Sequence, residues 1–518
     1  MNIFNKIKAT RPKSSKFDLS HERKMSIRMG ILYPHLLQAV VPGDKFRVNT
    51  ETFIRMAPML APVMHRVNVF THFFFVPNRL VWDGWETFIT GGEDGLQTEG
   101  MPTIPLAAGF SNNFLEGSLG DYFGIPPFGN SGSEVESITA LPFRAYQTIW
   151  NEYFRDQNLM PKVEVLKTSN QLTQAEITAI TQLQNRSWEK DYFTASLPWP
   201  QRGADVTLPT TTSPQYKDVS TIVNEDGTQP IGSHNVTYSD QTGSIGGIAS
   251  NDGPARIENL ADEQEGTSVT INELRNATRL QEWLEKNARA GSRYIEQILS
   301  HFGVRSSDAR LQRPEYLGGG KSPVVISEVL NQAGSQGGPE DPNLAPVGEM
   351  SGHGVSVGKS NNFTKSFEEH GYIIGLLSVI PRTTYQQGLD REWTKLDKLD
   401  FYWPEFAHLG EQEVLNKEIY FDIDDPQNQS TWGYVPRYSE YKYKQSTVHG
   451  EFRSDLDYWH MGQKYSERPT LSAQFVKAIP TERIFAIDDN GTTDKMYCQI
   501  YNKIEAIRPM PYYGTPYL

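Results

Sequence analysis

A single cysteine, Cys498, in 518 residues excludes an intrachain disulfide framework and any zinc site built on paired cysteines. In MYCQIYNKI it reads as a small buried strand residue. No run of about 18 apolar residues occurs, so no helix is expected to insert into a membrane. The N-terminal MNIFNKIKATRPKSSKF is basic but leads into no apolar segment, so no secretory signal is expected. These features fit folding in a reducing cytoplasm. The 11 histidines show neither H-E-x-x-H nor paired spacing, so no metal or other cofactor is expected.

Gly (42), Pro (32), Tyr (24) and Phe (25) are abundant, a mix that suits many short strands joined by turns. The net charge of −13 is unevenly spread. Residues 1–28 carry Lys6, Lys8, Arg11, Lys13, Lys16, Arg23, Lys24 and Arg28 against Asp18 and Glu22, a net of +6 that leaves −19 on the remainder. A basic arm on an acidic body can hold a polyanion locally, or it can be an ordinary solvated terminus.

DKFRVNTETFIRM (44–56) alternates as a strand, and RVNVFTHFFFV (66–76) follows as one that is apolar on both faces. Within it, Phe73 and Phe75 are expected to point into a sandwich. Phe70, Phe74, Trp82 and Trp85 are expected to meet inserted structure or a neighbouring subunit, and His72 reads as a packed core histidine. Pro77 ends the strand. Asn78 is the expected N-cap of a helix with a stripe of Val81, Trp85, Phe88 and Ile89, closed by Gly91-Gly92. Residues 96–200 are irregular, with a helix predicted near Phe143–Arg155. Residues 203–268 hold ten acids against Lys217 and Arg256, with Tyr216 and Tyr238 as the aromatics, and cannot bury a core alone. A helix is predicted from Ile271 to His301, with Thr270 and Glu273 as a capping box and pairs Glu282–Lys286 and Glu285–Arg289. Beyond Pro323, VVISEVL, SFEEHGYIIGLLSVI, KEIYFDI, WGYVPRYSEYKYKQSTVHGEFR and a hairpin RIFAI-DDNG-TTDKMYCQIYNKI read as strands. Strands at both ends with irregular material between them predict an all-β sandwich with large insertions.

Three strings imitate catalytic or binding motifs. Gly354-Val355-Ser356-Val357-Gly358 fits the nucleophile elbow but has no strand before it and no helix after it. Gly318-Gly319-Gly320-Lys321-Ser322 imitates a phosphate loop, yet Glu315 stands where glycine is required. Asp488-Asp489-Asn490-Gly491 lacks the spacing of a calcium loop. For nucleic acid, RYSEYKYK (437–444) puts Tyr441 and Tyr443 on one face of a strand and Lys442 and Lys444 on the other, which suits single strands or merely protects a sheet edge.

MGILYPHLLQAVVPGD (29–44), APMLAPVMHRVNVFTHFFFVPNRLVWDGWETFITGG (57–92), LPWPQRG (197–203), ARAGSRYIEQILSHFGVRSSDARLQRPEYLGGG (288–320), FEEHGYIIGLLSVIPRTTYQQGL (367–389) and EYKYKQSTVHGEFR (440–453) together resemble the major capsid protein of the Microviridae, and its gokushovirus-like branch most. The resemblance covers nearly all of the chain except the acidic insert. It implies a mainly β fold, an eight-stranded antiparallel jelly roll with long inserted loops and a few helices. It also implies sixty copies in a T = 1 shell around a circular single-stranded DNA, in the virion, assembled in the bacterial host's cytoplasm. The partners it implies are further copies of the chain, the DNA, minor capsid or pilot proteins, small basic DNA-binding proteins and a host surface receptor. The expected divisions are an arm (1–28), first strands with a short helix (29–92), inserted loops (93–202), a surface insertion near the threefold axes (203–268, with Tyr216, Tyr238 and Asp240 as host-contact candidates), a helical insert (269–320) and the remaining strands with the C-terminal tail (321–518). No enzymatic activity is expected. A β-sandwich that binds or acts on glycans is the alternative, and it requires a carboxylate pair or nucleophile that the sequence does not single out.

Overall fold

The computed structural model describes residues 13–93, 96–128, 136–204, 271–290, 299–301, 312–332, 348–487 and 493–513, and in addition the backbone of four short strands between 221 and 258. The chain divides into two units, Met1–Pro200 with Ala288–Leu518, and Gln201–Asn287.

The larger unit is built on two antiparallel sheets holding ten strands, labelled here β1 (Ser15–Asp18), β2 (His21–Ile27), β3 (Tyr33–Val40), β4 (Lys45–Met56), β5 (Val67–Pro77), β6 (Glu315–Pro323), β7 (Val325–Leu330), β8 (Met350–Ser366), β9 (Gly371–Pro381) and β10 (Met496–Arg508). The six-stranded sheet runs β1-β10-β4-β8-β7, with β2 also on β10. The four-stranded sheet runs β6-β5-β9-β3. This is the mainly β sandwich expected from the sequence.

Side-chain alternation sets the layers. Along β4, Phe46, Val48, Thr50, Thr52, Ile54 and Met56 are buried, while Lys45, Arg47, Glu51 and Arg55 are exposed. Strands β5 and β9 are central and covered on both faces, which explains their continuous apolar runs. Phe73 and Phe75 pack between the sheets with Phe46, Val48 and Phe363. Phe74 points the other way, into a second core with Trp82, Phe114, Phe143, Tyr146 and Trp150, all supplied by the insertion that follows β5. Truncating Phe74 to alanine is expected to cost roughly 3–5 kcal/mol, the usual loss for a fully buried aromatic. Urea unfolding of the purified chain measures it, and a loss under about 1 kcal/mol contradicts this packing.

His72 lies among rings, with Phe154 at 5.6 Å and Tyr316 at 5.9 Å. The phosphate-loop string is part of β6. A side chain at Gly319 would meet the Thr71 carbonyl at 2.3 Å, and one at Gly320 the Asn361 side chain at 1.8 Å. These glycines serve close strand packing, not an anion.

Several local expectations are corrected. Asn78 does not cap. It is the first residue of a helical turn, Asn78–Val81, with Pro77 in the capping position. The helix breaks at Trp82, whose fully buried ring leaves an extended backbone there, and resumes as Trp85–Thr90, ended by left-handed Gly91. Phe88 and Ile89 remain exposed. The helix near 143–155 forms as Leu141–Ile149 and a π turn, Trp150–Phe154. The helix from Ile271 is seen over Ile271–Ala290 and exposes Leu274, Leu280 and Trp283 of its stripe; residues 291–298 lie outside the described residues, and 299–301 are helical. Thr270 of the expected capping box lies outside the described residues. The ion pairs differ too: Glu282 pairs with Arg279, and Arg289 with Glu411. KEIYFDI is not a strand. Asn416–Ile419 is a buried helical turn, because Glu418 is drawn in by the Leu415 N–H, the Tyr192 hydroxyl and Arg391. RIFAI is a turn with consecutive buried Ile484 and Phe485, and β10 pairs with β4 and β2 instead. The DDNG stretch lies outside the described residues.

Candidate nucleic-acid interface

Lys6, Lys8 and Arg11 lie outside the described residues. The rest of the basic segment is built into the sheet. Ser15–Asp18 and His21–Ile27 pair antiparallel with β10, so they form an edge rather than a free arm. Lys13 is exposed. Lys16 meets Glu505 at 3.2 Å, Lys24 meets Glu22 at 3.7 Å and Arg28 meets Asp494 at 2.9 Å. Arg23 donates to the carbonyls of Tyr122 at 2.7 Å and Pro34 at 3.4 Å, and burial lowers its pKa. Arg23, Lys24 and Arg28 share a concavity of about 930 Å³ with Tyr33, Tyr122 and Asp494.

The second candidate loses its alternation. Ser439–Lys442 is a helical turn that follows Tyr438 at φ +63°, so Tyr441 and Tyr443 do not share a strand face. The tyrosine cluster causes this, since Tyr438 and Tyr441 both pack on Tyr402. Lys442 donates to the Arg437 carbonyl at 2.9 Å. Lys444 bridges Asp390 at 2.7 Å and Glu392 at 2.9 Å, and those hydrogen bonds raise its pKa. The Tyr443 hydroxyl accepts from Arg382 at 3.2 Å.

In the insertion, Tyr216 and Asp240 lie outside the described residues. Tyr238 belongs to Thr237–Tyr238, which pairs with Ile245–Gly246, and Thr221–Asn224 pairs with Ala255–Glu258.

The structure brings together a surface that sequence reading missed. On the outward face of the six-stranded sheet, register places Tyr497 beside Arg55, Gln499 beside Phe53, Tyr501 beside Glu51, Lys503 beside Asn49 and Glu505 beside Arg47. Gln499 also neighbours Lys24, and Ile507 neighbours Lys16. Tyr497 is 47% exposed, and the Arg55 guanidinium sits 5.2 Å from the Phe53 ring centre. The cations Lys45, Arg47, Arg55 and Lys503 and the rings Phe53, Tyr497 and Tyr501 share this face with the carboxylates of Glu51 and Glu505. Rings beside lysine and arginine are groups on which bases stack while phosphates are paired. The outward charges at Lys45, Arg47 and Arg55 are legible in KFRVNTETFIR, but their partners on β10 are about 450 residues away in the chain.

The enzyme-like serine is excluded by position. Gly354–Gly358 lies within β8, and the buried Ser356 hydroxyl donates to the Pro323 carbonyl at 2.9 Å. Among the described residues no cluster of His, Cys, Asp and Glu could hold a metal, and no helix is long and apolar enough to cross a membrane.

A two-sheet sandwich with long insertions hosts many functions, and the class of this one is set by its relatives. The family model for "Capsid protein (F protein)" matches residues 5–518. Capsid protein VP1 of Chlamydia phage 1 is 36% identical, with 99% of this chain and 97% of that protein aligned. Capsid protein VP1 of Bdellovibrio phage phiMH2K is also 36% identical, and that of Spiroplasma virus 4 is 32% identical, each over the same shares. The chain belongs to the phage F-type capsid protein family of the Microviridae and is a major capsid protein.

Proposed function

We propose that the chain is the repeating unit of a T = 1 shell of sixty copies, assembled in the bacterial cytoplasm and closed around circular single-stranded DNA. The outward face of the six-stranded sheet, with the basic segment beside it, is turned to the genome. The acidic insertion 203–268 is turned to the host receptor. The observation that carries the genome side is the lattice of Lys45, Arg47, Arg55 and Lys503 interleaved with Phe53, Tyr497 and Tyr501. Even sixty copies of a +6 segment supply only on the order of several hundred positive charges, fewer than a genome of several thousand phosphates requires. Small basic proteins or other cations complete the neutralisation.

Particles purified from cells expressing the chain with a circular single-stranded template are expected to be uniform and icosahedral in electron micrographs. They are expected to protect that circle from nuclease. A monomer that leaves the DNA digestible overturns the proposal.

A further inference from the structure

We propose that the loop Arg391–Leu409 is a contact surface between copies of this chain. The inference rests on the shell reading above and assigns it a particular surface. Trp393 is 77% exposed and Leu396 91% exposed, and Leu399, Phe401, Trp403 and Leu409 are each at least 45% exposed. Those six side chains show on the order of 800 Å² to water, given the 150–250 Å² that an aromatic side chain can bury. A monomer's largest apolar patch is usually about 300–600 Å². One partner's share of a standard stable interface is about 800 Å².

The loop is held rigid while presenting them. It consists of three 3-10 turns, Arg391–Thr394, Lys398–Asp400 and Pro404–Phe406. The Asp400 carboxylate accepts from the N–H groups of Leu396 and Asp397, both at 2.9 Å. The Trp403 indole donates to the Lys398 carbonyl at 2.8 Å. Arg391 anchors one end on the buried Glu418 at 3.1 Å, and Tyr402 packs on Tyr438 at 4.9 Å. Ordering this backbone costs conformational entropy, and nothing inside the unit is gained by pointing Trp393 and Leu396 outward. A preorganised apolar face lowers the cost of docking a partner.

Charge selects a second copy as that partner. Each chain carries −13, so copies repel at long range, and a contact between them needs a site with balanced charge. The loop sets Arg391, Lys395 and Lys398 against Glu392, Asp397, Asp400 and Glu405, a near balance that lets like surfaces meet. A nucleic acid would face those carboxylates.

The test uses the full chain purified alone. Because Cys498 is the sole cysteine and is buried, Leu396→Cys provides a unique thiol for maleimide labelling. Labelling at position 396 is expected to be fast in dissociated protomers and at least tenfold slower in associated material. Trp393→Ser with Leu396→Asp is expected to raise the concentration for association at least tenfold in sedimentation, with an unchanged thermal melt. Equal labelling in both states, or association of the double variant at the parent's concentration, overturns this surface while leaving the shell reading intact. Protection that appears only when other virion components are added also overturns it, because the occupant is then not a second copy. A parent chain that stays monomeric at every concentration removes the shell reading and this inference together.

Discussion

Glutamate at Arg47, Arg55 and Lys503 is expected to leave particles that assemble but do not retain their DNA. All three side chains are exposed on the outward face of the six-stranded sheet, so each substitution should change folding stability by no more than about 0.5 kcal/mol. Binding should respond far more. A single strand's affinity falls with salt at a slope of about 0.7 per phosphate neutralised, so three lost contacts are worth roughly 50-fold at physiological salt. Reversal adds repulsion beyond that. The measurements are the salt dependence of single-strand binding and the ratio of absorbance at 260 and 280 nm in purified particles. Alanine at Tyr497 and Tyr501 is expected to act differently, weakening binding by about 1–3 kcal/mol per lost stack with the salt slope preserved. Unchanged DNA content in the triple glutamate variant would show that this face does not meet the genome.

Lowering the pH from 7.5 to 5 is expected to destabilise the protomer by several kcal/mol, before the carboxylates titrate. His35 is fully buried between the sheets, and burial, aided by nearby Arg23, depresses its imidazole to about 3. Burial likewise brings His65 to about 4, near His460 and Arg483, and His72 to about 4, near Arg186. An unfolded histidine takes a proton near pH 6.5, whereas these folded ones remain neutral to about 4 or below. Protons therefore favour the unfolded chain throughout that window. The stabilisation is complete above pH 6.5 and is lost as pH falls toward the folded values. At pH 5 the fully buried His35 accounts for about 2 kcal/mol, and the partly covered His65 and His72 for less. Calorimetric melts at pH 7.5, 6 and 5 measure the slope, and His35→Gln should flatten it. A melting temperature constant across that range would refute the assignment.

The sandwich was legible where burial follows a simple period. Strands β4, β5 and β9 announce themselves by alternation or by continuous apolar runs, and the opposed destinations of Phe73 and Phe74 follow from neighbouring positions on one strand. Strand β8 was not legible, because its glycines read as a loop. Gly352, Gly354 and Gly358 all occupy its buried face, where a side chain would strike the Ala61 carbonyl at 2.3 Å, Met56 at 2.7 Å or Thr52 at 2.6 Å. Glycine at alternate positions can therefore mark a strand pressed against its neighbours. KEIYFDI and RYSEYKYK failed for another reason. Tertiary partners, the Arg391–Glu418 pair and the edge-to-face contact of Tyr402 with Tyr438, override local strand preference. The outward charges of β4 were legible, but their joining to Tyr497, Tyr501 and Lys503 was not, because register, which no local window contains, assembles that face.

Strand β10 joins β4 to β1 and β2, so the last long strand of the chain lies between the earliest ones. A ribosome delivers the chain from its N-terminus, and β4, whose other neighbour β8 comes earlier, must wait for more than four hundred residues before β10 emerges. The paired outward face of β4 and β10 therefore exists only on chains translated through Arg508. A chain that stops before Met496 leaves that edge of β4 without its strand partner and cannot display the face.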